Sequence, residues 1–358
     1  MEGKIISLFV LLLFAHFTYA QSYRSEEVLF SSAKDSITYG GTLTIPSGKG
    51  PFTTIVMVSG TGKQDRDGTM GGHKIFRDIA DGLSKNGYAV LRLDDRGVGK
   101  TTGVYEKATT LDFANDALAA VAYLRGRKEI NAKKIGLLGH SEGGMAISIA
   151  ASNSKQVAFL ISIAGLASNG LDALIRQNRD LVANAQLPDY DKARSNQINE
   201  LMFQTAYKYA DSANMEAKLN ETYNLWKVKD DAYFKTLNQP FDHFRFPLYS
   251  YVKMATSSWY RFFIQYNAVK TLAQIKVPVL ALNGDRDLMV AGKENLQHWK
   301  EYTRQGGNTD VETVLIPNLN HLFLPCVTCN QAEIPTIKAG FSDVAMKLMI
   351  NWLKKKIR

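Results

Sequence analysis

Cysteine, proline and long apolar runs are all scarce in this sequence, and each scarcity excludes something. Nine prolines in 358 residues, with no low-complexity tract, exclude a collagen-like or disordered chain. No block of five or six like charges occurs, and the balance of 43 basic to 34 acidic residues is only +9. The densest basic cluster is the tail Lys354, Lys355, Lys356 and Arg358. Such a cluster suits the C-terminal end of a helix, where cations complement the dipole. With no motif beside it, nucleic-acid binding is not expected.

The one long apolar run is Ile5 to Phe17, broken by Ser7 and His16. It follows Lys4 and precedes Thr18-Tyr19-Ala20, which offers small residues for cleavage before Gln21. Thirteen residues fall short of a membrane span, which takes about 20. Residues 1–20 therefore read as a signal peptide, with an uncleaved anchor as the alternative. The protein is expected in the periplasm or outside the cell, with no stable membrane span.

Only two cysteines occur, in Cys326-Val327-Thr328-Cys329. In an exported chain this pair is expected to close as a local disulfide, with free thiols as the alternative. A zinc site needs four ligands, and no partners stand at suitable spacing, so no metal is expected.

What the chain does have is rhythm. Val28 to Phe30 and Ile37 to Ile45 suggest a hairpin with a turn near Lys34-Asp35 and a bulge at Gly40-Gly41. Buried-type strands then alternate with helical stretches: Thr53 to Val58, Tyr88 to Leu93, Lys134 to Leu138 and Val157 to Ile163. Near-continuous apolar strands of this kind belong to a parallel sheet covered on both faces. The alternation stops over 168–271, which is polar and helical, with helices expected at Leu171 to Ala185, Lys192 to Lys218 and Asn220 to Leu237. It resumes at Pro278 to Leu282 and Val311 to Ile316, and ends in a helix from about Ile337 to Lys355. The expected fold is α/β: residues 21–167 and 272–358 form one core, and 168–271 is a helical insertion acting as a lid.

Gly139-His140-Ser141-Glu142-Gly143 fits G-x-S-x-G, between an apolar strand and a small-residue helix. That is the setting of a nucleophile elbow. A serine hydroxyl needs a base within hydrogen-bond reach, and the base needs an orienting acid. His321 follows the last strand in a loop and is the expected base. His140 abuts the nucleophile and points elsewhere, His298 reads as surface, and His73 and His243 lie in loops or the insertion. Asp287 follows the strand Pro278 to Leu282 and is the expected acid, with Asp285 as a turn residue. The chain order Ser141, Asp287, His321 is the one such a sheet hydrolase requires.

The sequence resembles the α/β-hydrolase superfamily, in particular exported bacterial esterases and serine aminopeptidase-like proteins. The likeness rests on Val58-Ser59-Gly60-Thr61-Gly62, on Gln64-Asp65-Arg66-Asp67, on Leu93 to Lys100 and on the triad regions, and covers most of the mature chain. It implies an oxyanion hole made by the backbone N–H groups of Glu142 and Thr61. Ser59 stands where many relatives carry histidine.

Gly97-Val98-Gly99-Lys100-Thr101 resembles the end of a Walker A loop, but Asp94 occupies the position of the required first glycine. No nucleotide or other cofactor is expected. Arg96 reads as a tie between loops, and Asp65-Arg66-Asp67 as a salt-bridged brace. Phe241 to Tyr266 holds ten aromatics, expected mainly as packing between insertion and core, with some lining a pocket. The expected activity is hydrolysis of a small or medium carboxylic ester through an acyl-enzyme. The alternatives are a peptidase or amidase with the same triad, which needs an acidic site for the substrate amine, or a binding protein on this scaffold. Oligomeric state is not legible.

Overall fold

The computed structural model describes residues 22–32 and 36–357. The export segment 1–20 and the turn at Lys34-Asp35 lie outside the described residues. The hairpin strands β1 (Tyr23–Ser31) and β2 (Thr38–Pro46) pair in unbroken antiparallel register. The expected bulge at Gly40-Gly41 is not formed. A Cβ on Gly40 would lie 2.5 Å from Lys100 Cβ, and one on Gly41 2.5 Å from the Arg92 carbonyl. These glycines permit close approach of a neighbouring backbone rather than a bend.

The chain continues through β3 (Phe52–Val58), the short pair β4 (Thr69–Met70) and β5 (His73–Lys74), α1 (Ile75–Lys85) and β6 (Ala89–Leu93). Then come α2 (Thr110–Arg125), β7 (Ile130–His140), α3 (Glu142–Asn153) and β8 (Leu160–Ile163). Six helices follow before the next strand: α4 (Gly170–Ala183), α5 (Asp189–Lys208), α6 (Met215–Thr236), α7 (Leu248–Ala255), α8 (Ser258–Ile264) and α9 (Ala268–Leu272). The chain closes with β9 (Val279–Gly284), α10 (Gly292–Gln305), β10 (Val311–Ile316) and α11 (Asp343–Lys356).

Eight strands form one sheet in the order β1-β2-β6-β3-β7-β8-β9-β10. From β6 to β10 every pairing is parallel, while β1 and β2 run antiparallel at one edge. Burial explains the apolar strands: β8 and β9 are buried throughout, because helices cover both faces. One core layer gathers residues of α2, α3, α9 and α10 against the sheet. The other gathers α1 and α11 with the loop Leu319 to Leu324.

A third cluster lies within α5 to α8, with Ile198, Met202, Trp226, Tyr251 and Tyr260. It is pinned by the buried Arg194, whose guanidinium bonds Asp230 and Asp242 bidentately, reaches Asp191 at 2.9 Å and stacks on Phe244. These carboxylates hold Arg194 above its usual range, chiefly through the Asp230 hydrogen bond. The aromatic stretch divides in two. Phe244, Phe246, Tyr251 and Tyr260 pack within the insertion, while Phe263 and Tyr266 join the core layer. The helix expected over Lys192 to Lys218 is broken at 209–214, where Asp211, Ser212 and Asn214 favour a turn. Among the described residues, no helix is long and apolar enough to cross a membrane.

Candidate active site

Every sequence-predicted site residue follows the C-terminal end of a parallel strand: Thr61 after β3, Ser141 after β7, Asp287 after β9 and His321 after β10. Such strand ends are where open α/β sheets place their ligands. Ser141 adopts φ 56° and ψ −122°, a conformation strained for a residue with a side chain. The sequence makes this turn possible with glycine. A Cβ on Gly139 would lie 2.2 Å from the Gly143 carbonyl, and one on Gly143 2.4 Å from the Val58 carbonyl. The strained turn is closed by Ser141 N–H to the Ile163 carbonyl and by Gly144 and Leu166 N–H to the Ser141 carbonyl. Its side chain carries no hydrogen bond to another described residue.

His321 Nδ1 donates to Asp287 Oδ2 at 2.8 Å. Asp287 is buried and accepts from Asn283 Nδ2 at 3.0 Å and from the N–H groups of Met289 and Val290 at 2.8 and 2.9 Å. An acceptor with these four donors is a carboxylate, and it fixes the His321 proton on Nδ1, leaving Nε2 free to act as base. Asp285 does not reach His321. Its Oδ1 accepts from Asn318 N–H at 2.7 Å and ties the acid loop to the histidine loop. Asn320 Oδ1 holds that loop from within, accepting from Leu322 and Leu324 N–H.

Ser141 and His321 line one cavity of about 680 Å³, together with Thr61, Trp259, Phe263 and Val290. Around Ser141 two backbone N–H groups, of Glu142 and Thr61, have no partner among the described residues. The loop carrying Thr61 lies hard against Ser141: a Cβ on Gly60 would stand 2.9 Å from Ser141 Cβ. That loop is held by Asp95, which accepts from the Ser59 hydroxyl at 2.6 Å and Gln64 N–H at 2.8 Å. The serine in place of histidine at 59 thus serves as a strap. Burial pushes the Asp95 carboxyl up to about 7. Gly62 N–H donates to the Tyr105 hydroxyl at 2.8 Å. Arg66 grips Asp94 bidentately and also reaches Glu27, and Arg96 grips Asp116. Both arginines are braces.

Two contributions were invisible in the sequence. The first is the Glu142 side chain, 1% exposed. Its carboxylate accepts from Thr61 Oγ1 and Thr110 Oγ1 at 2.6 Å each and from Trp259 Nε1 at 2.8 Å. One buried side chain therefore joins the elbow, the Thr61 loop, α2 and α8. Truncation leaves the buried Thr110 hydroxyl without its acceptor, at about 1–3 kcal/mol, and releases the exposed Thr61 hydroxyl and the half-buried Trp259 N–H. Glu142→Ala is expected to lower kcat about 10–100-fold by loosening Thr61, in the range of losing part of one oxyanion donor. Glu142→Gln keeps one acceptor and is expected to retain most of the rate. Equal losses in the two variants, measured on one ester, would contradict this.

The second is His140, also 1% exposed. Its Nε2 donates to the His321 carbonyl at 3.0 Å, and the two rings lie 4.7 Å apart. Burial, and then the His321 ring, push its pKa down to about 3, so it stays neutral at working pH. The unfolded chain protonates this histidine near its ordinary value, so stability is full above about pH 6.5 and falls as pH drops toward 3. Between pH 6.5 and 5 the loss is about 2 kcal/mol. Wild type is expected to lose about 2–4 °C more in Tm from pH 7 to pH 5 than His140→Gln, which can still donate to the His321 carbonyl. Parallel Tm curves would contradict this assignment.

His298, expected at the surface, is half-buried: its Nδ1 meets Ser168 Oγ at 3.0 Å and its ring stacks on Tyr302. Its helix packs against the loop after β8, which a helical period alone does not reveal. Cys326 and Cys329 form a disulfide. The Glu333 carboxylate caps this turn, accepting from the Thr328 hydroxyl and the N–H groups of Val327, Thr328 and Cys329. These bonds, the Thr328 hydroxyl foremost, hold it down at about 2. Among the described residues, no group of three or more His, Cys, Asp or Glu is placed to hold a metal ion.

A family profile described as X-Pro dipeptidyl-peptidase (S15 family) matches residues 35–323. Esterase EstD of Thermotoga maritima is 29% identical over 288 residues, which make up 79% of this chain and 58% of that protein. The chain thus spans somewhat over half the length of this curated relative. Among solved structures, the esterase Pf2001 of Pyrococcus furiosus superposes with a TM-score of 0.57 at 18% identity, covering 94% of this chain and 92% of its own. The α/β hydrolase GrgF of Penicillium sp. sh18 superposes at 0.54 with 19% identity, covering 93% and 99%. At these identities the structural likeness establishes the α/β-hydrolase fold.

Proposed function

This chain belongs to the X-Pro dipeptidyl-peptidase (S15) family, and from that premise we propose that it is a serine hydrolase of neutral carboxylic esters. The observation that carries the choice of ester over dipeptide is the lining of the cavity. No Asp, Glu, Lys or Arg lines it among the described residues. A dipeptidyl-peptidase must hold the ammonium group of its substrate, and an ammonium without a carboxylate in such a cavity carries a large desolvation cost. The Glu142 carboxylate does not supply one, since Thr61, Thr110 and Trp259 occupy it. The likeness to EstD, an esterase by name, supports the same reading.

The His321–Asp287 bond and the shared cavity with Ser141 support the following reaction. Ser141 Oγ attacks the acyl carbon while His321 Nε2 takes its proton. Asp287 keeps the ring oriented and stabilises the imidazolium that forms. The oxyanion meets the free N–H groups of Glu142 and Thr61. His321 then gives the proton to the leaving alkoxide, the C–O bond breaks, and the acyl group stays on Ser141. Water, activated by the same Nε2, attacks the acyl carbon and releases the acid. The helices of 168–271 act as the lid: Trp259 and Phe263 reach the cavity from α8, and Leu174 and Leu181 from α4. Such a cover excludes water and selects acyl groups by size.

A panel of p-nitrophenyl esters set against Xaa-Pro anilides tests this reading. Neutral esters are expected to be cleaved with kcat/KM at least about 10³ above any anilide, as charge recognition is missing for the latter. Faster cleavage of the anilide would overturn it.

Export of the mature chain from Gln21 is part of the proposal. The Cys326–Cys329 bridge supports it, since disulfides persist mainly in oxidising compartments. N-terminal sequencing of the secreted or periplasmic protein is expected to begin at Gln21. A start at Met1 would contradict it.

A further inference from the structure

The mouth of the cavity carries a chemistry that a plain ester does not need. Primary amides cluster there: Gln177 from α4, Asn184 capping its C-terminus, and Asn330 and Gln331 from the disulfide loop. Backbone partners fix which way three of them face. Gln177 Nε2 donates to the Met289 carbonyl at 3.0 Å, and Asn184 Nδ2 to the Asp180 carbonyl at 2.8 Å. A carbonyl only accepts, so each amide turns its nitrogen to that carbonyl and keeps its oxygen unengaged. Asn330 is reversed: its Oδ1 accepts from Glu333 N–H at 3.0 Å, which leaves its NH₂ free. Gln331 Nε2 lies 3.3 Å from Met289 Sδ, so it too keeps its oxygen free. Met289 thus joins the two walls, one partner to its carbonyl and one to its sulfur. Deeper in, Gln64 is 8% exposed and its Oε1 has no partner.

The amides sit on an ordered face. Leu174, Gln177, Leu181 and Asn184 recur at steps of three and four on α4, so one side of the helix meets the cavity. That face begins apolar at Leu174, which packs on the core, and ends polar at the exposed Asn184. The mouth therefore offers three free amide oxygens and, on Asn330, one wholly free NH₂, with no charge.

We propose that this rim binds the leaving group of the ester, and that the leaving group is a neutral polyhydroxylated alcohol, a sugar. The inference rests on the ester-hydrolase reading and adds the class of alcohol. Hydroxyl groups donate to free amide oxygens and accept from a free amide N–H, so a polyol satisfies the rim. A lipid alcohol would leave these amides dry and unpaired, and each unpaired group is penalised. A phosphorylated or carboxylated alcohol would bring a charge with nothing to offset it. The acyl group falls to the apolar part of the cavity, beside Leu166, Phe263 and Leu288.

The test compares one acid on two alcohols: methyl 6-O-butyrylglucoside and ethyl butyrate, each as kcat/KM. The wild type is expected to favour the sugar ester at least about tenfold, since each neutral hydrogen bond gives about 3–10-fold. In the double variant Asn184→Ala/Asn330→Ala, both positions being exposed, that ratio is expected to fall about tenfold. A wild-type ratio near one, with ethyl butyrate turned over, would overturn the sugar inference and leave the ester reading standing. Turnover of Xaa-Pro anilides with neither butyrate cleaved would overturn both. The wild-type ratio decides the matter even if a variant misfolds.

Discussion

Ser141→Ala is expected to lower kcat on a neutral ester by about 10⁵–10⁶, because the nucleophile and its base act as one unit. Residual hydrolysis at about 10³–10⁴ over water should remain from the oxyanion N–H groups and substrate binding. The fold should not suffer. The Ser141 side chain makes no hydrogen bond to another described residue, and the contacts that shape the turn are all made by its backbone. Alanine meets the same positive φ that serine already tolerates. KM should therefore stay within a few-fold and Tm close to wild type. A variant that keeps more than about a tenth of wild-type kcat would show that Ser141 is not the nucleophile.

Asp287→Asn is expected to cost about 10⁴ in kcat. The cause is a conflict of donors. Asp287 receives two backbone N–H groups on Oδ1, and Asn283 with His321 on Oδ2. An asparagine has one acceptor oxygen, so its NH₂ must face one of these pairs. Facing His321, it forces the ring proton onto Nε2, the nitrogen that has to take the proton of Ser141. Facing the backbone, it leaves Met289 and Val290 N–H unpaired, at about 1–3 kcal/mol each. The first arrangement removes activity and the second removes stability, so Tm read beside kcat tells them apart. Asp285→Asn has no such conflict with the histidine, since Asp285 meets only the 318 backbone. A Asp285→Asn variant losing more rate than Asp287→Asn would reverse the assignment of the acid.

The sheet and the gathering of Ser141, Asp287 and His321 at one edge of it were legible in the sequence for the same reason. Strands buried on both faces must read as apolar runs, and parallel order brings their C-terminal ends to one edge. Once Ser141 was placed by its glycines, Asp287 and His321 followed from the strands before them. What stayed hidden depended on contacts distant in the chain. The Glu142 carboxylate takes its partners from 32, 81 and 117 residues away. An acidic residue in the first turn of a helix gives no sign that it will be buried. The ring of His140, expected to point elsewhere, lies 4.7 Å from the His321 ring on the cavity wall, and its bond to the His321 carbonyl spans 181 residues. Short elements escaped for another reason: β4 and β5 have two residues each, too few to carry a period. The last helix begins at Asp343 rather than Ile337, after Gly340 and a Ser342 cap whose hydroxyl accepts from Ala345 N–H.

The insertion shows a further limit. Its helical character was readable from 168 onward, but which residues face the cavity was not. Helical spacing puts Leu174, Gln177 and Leu181 on one side of α4, yet only the partner at Met289 shows that this side looks inward. The neutral lining, on which the choice of substrate rests, is a property of the assembled cavity and of no single segment.

The most direct test of the central claim is to map the adduct of a fluorophosphonate by mass spectrometry. Folded mature protein is expected to take up one phosphonyl group, on the peptide that carries Ser141, with loss of esterase activity in step with labelling. Ser141→Ala should take up none. An adduct on another residue, or no adduct on a protein that still cleaves esters, would contradict Ser141, His321 and Asp287 as the acyl-transfer site.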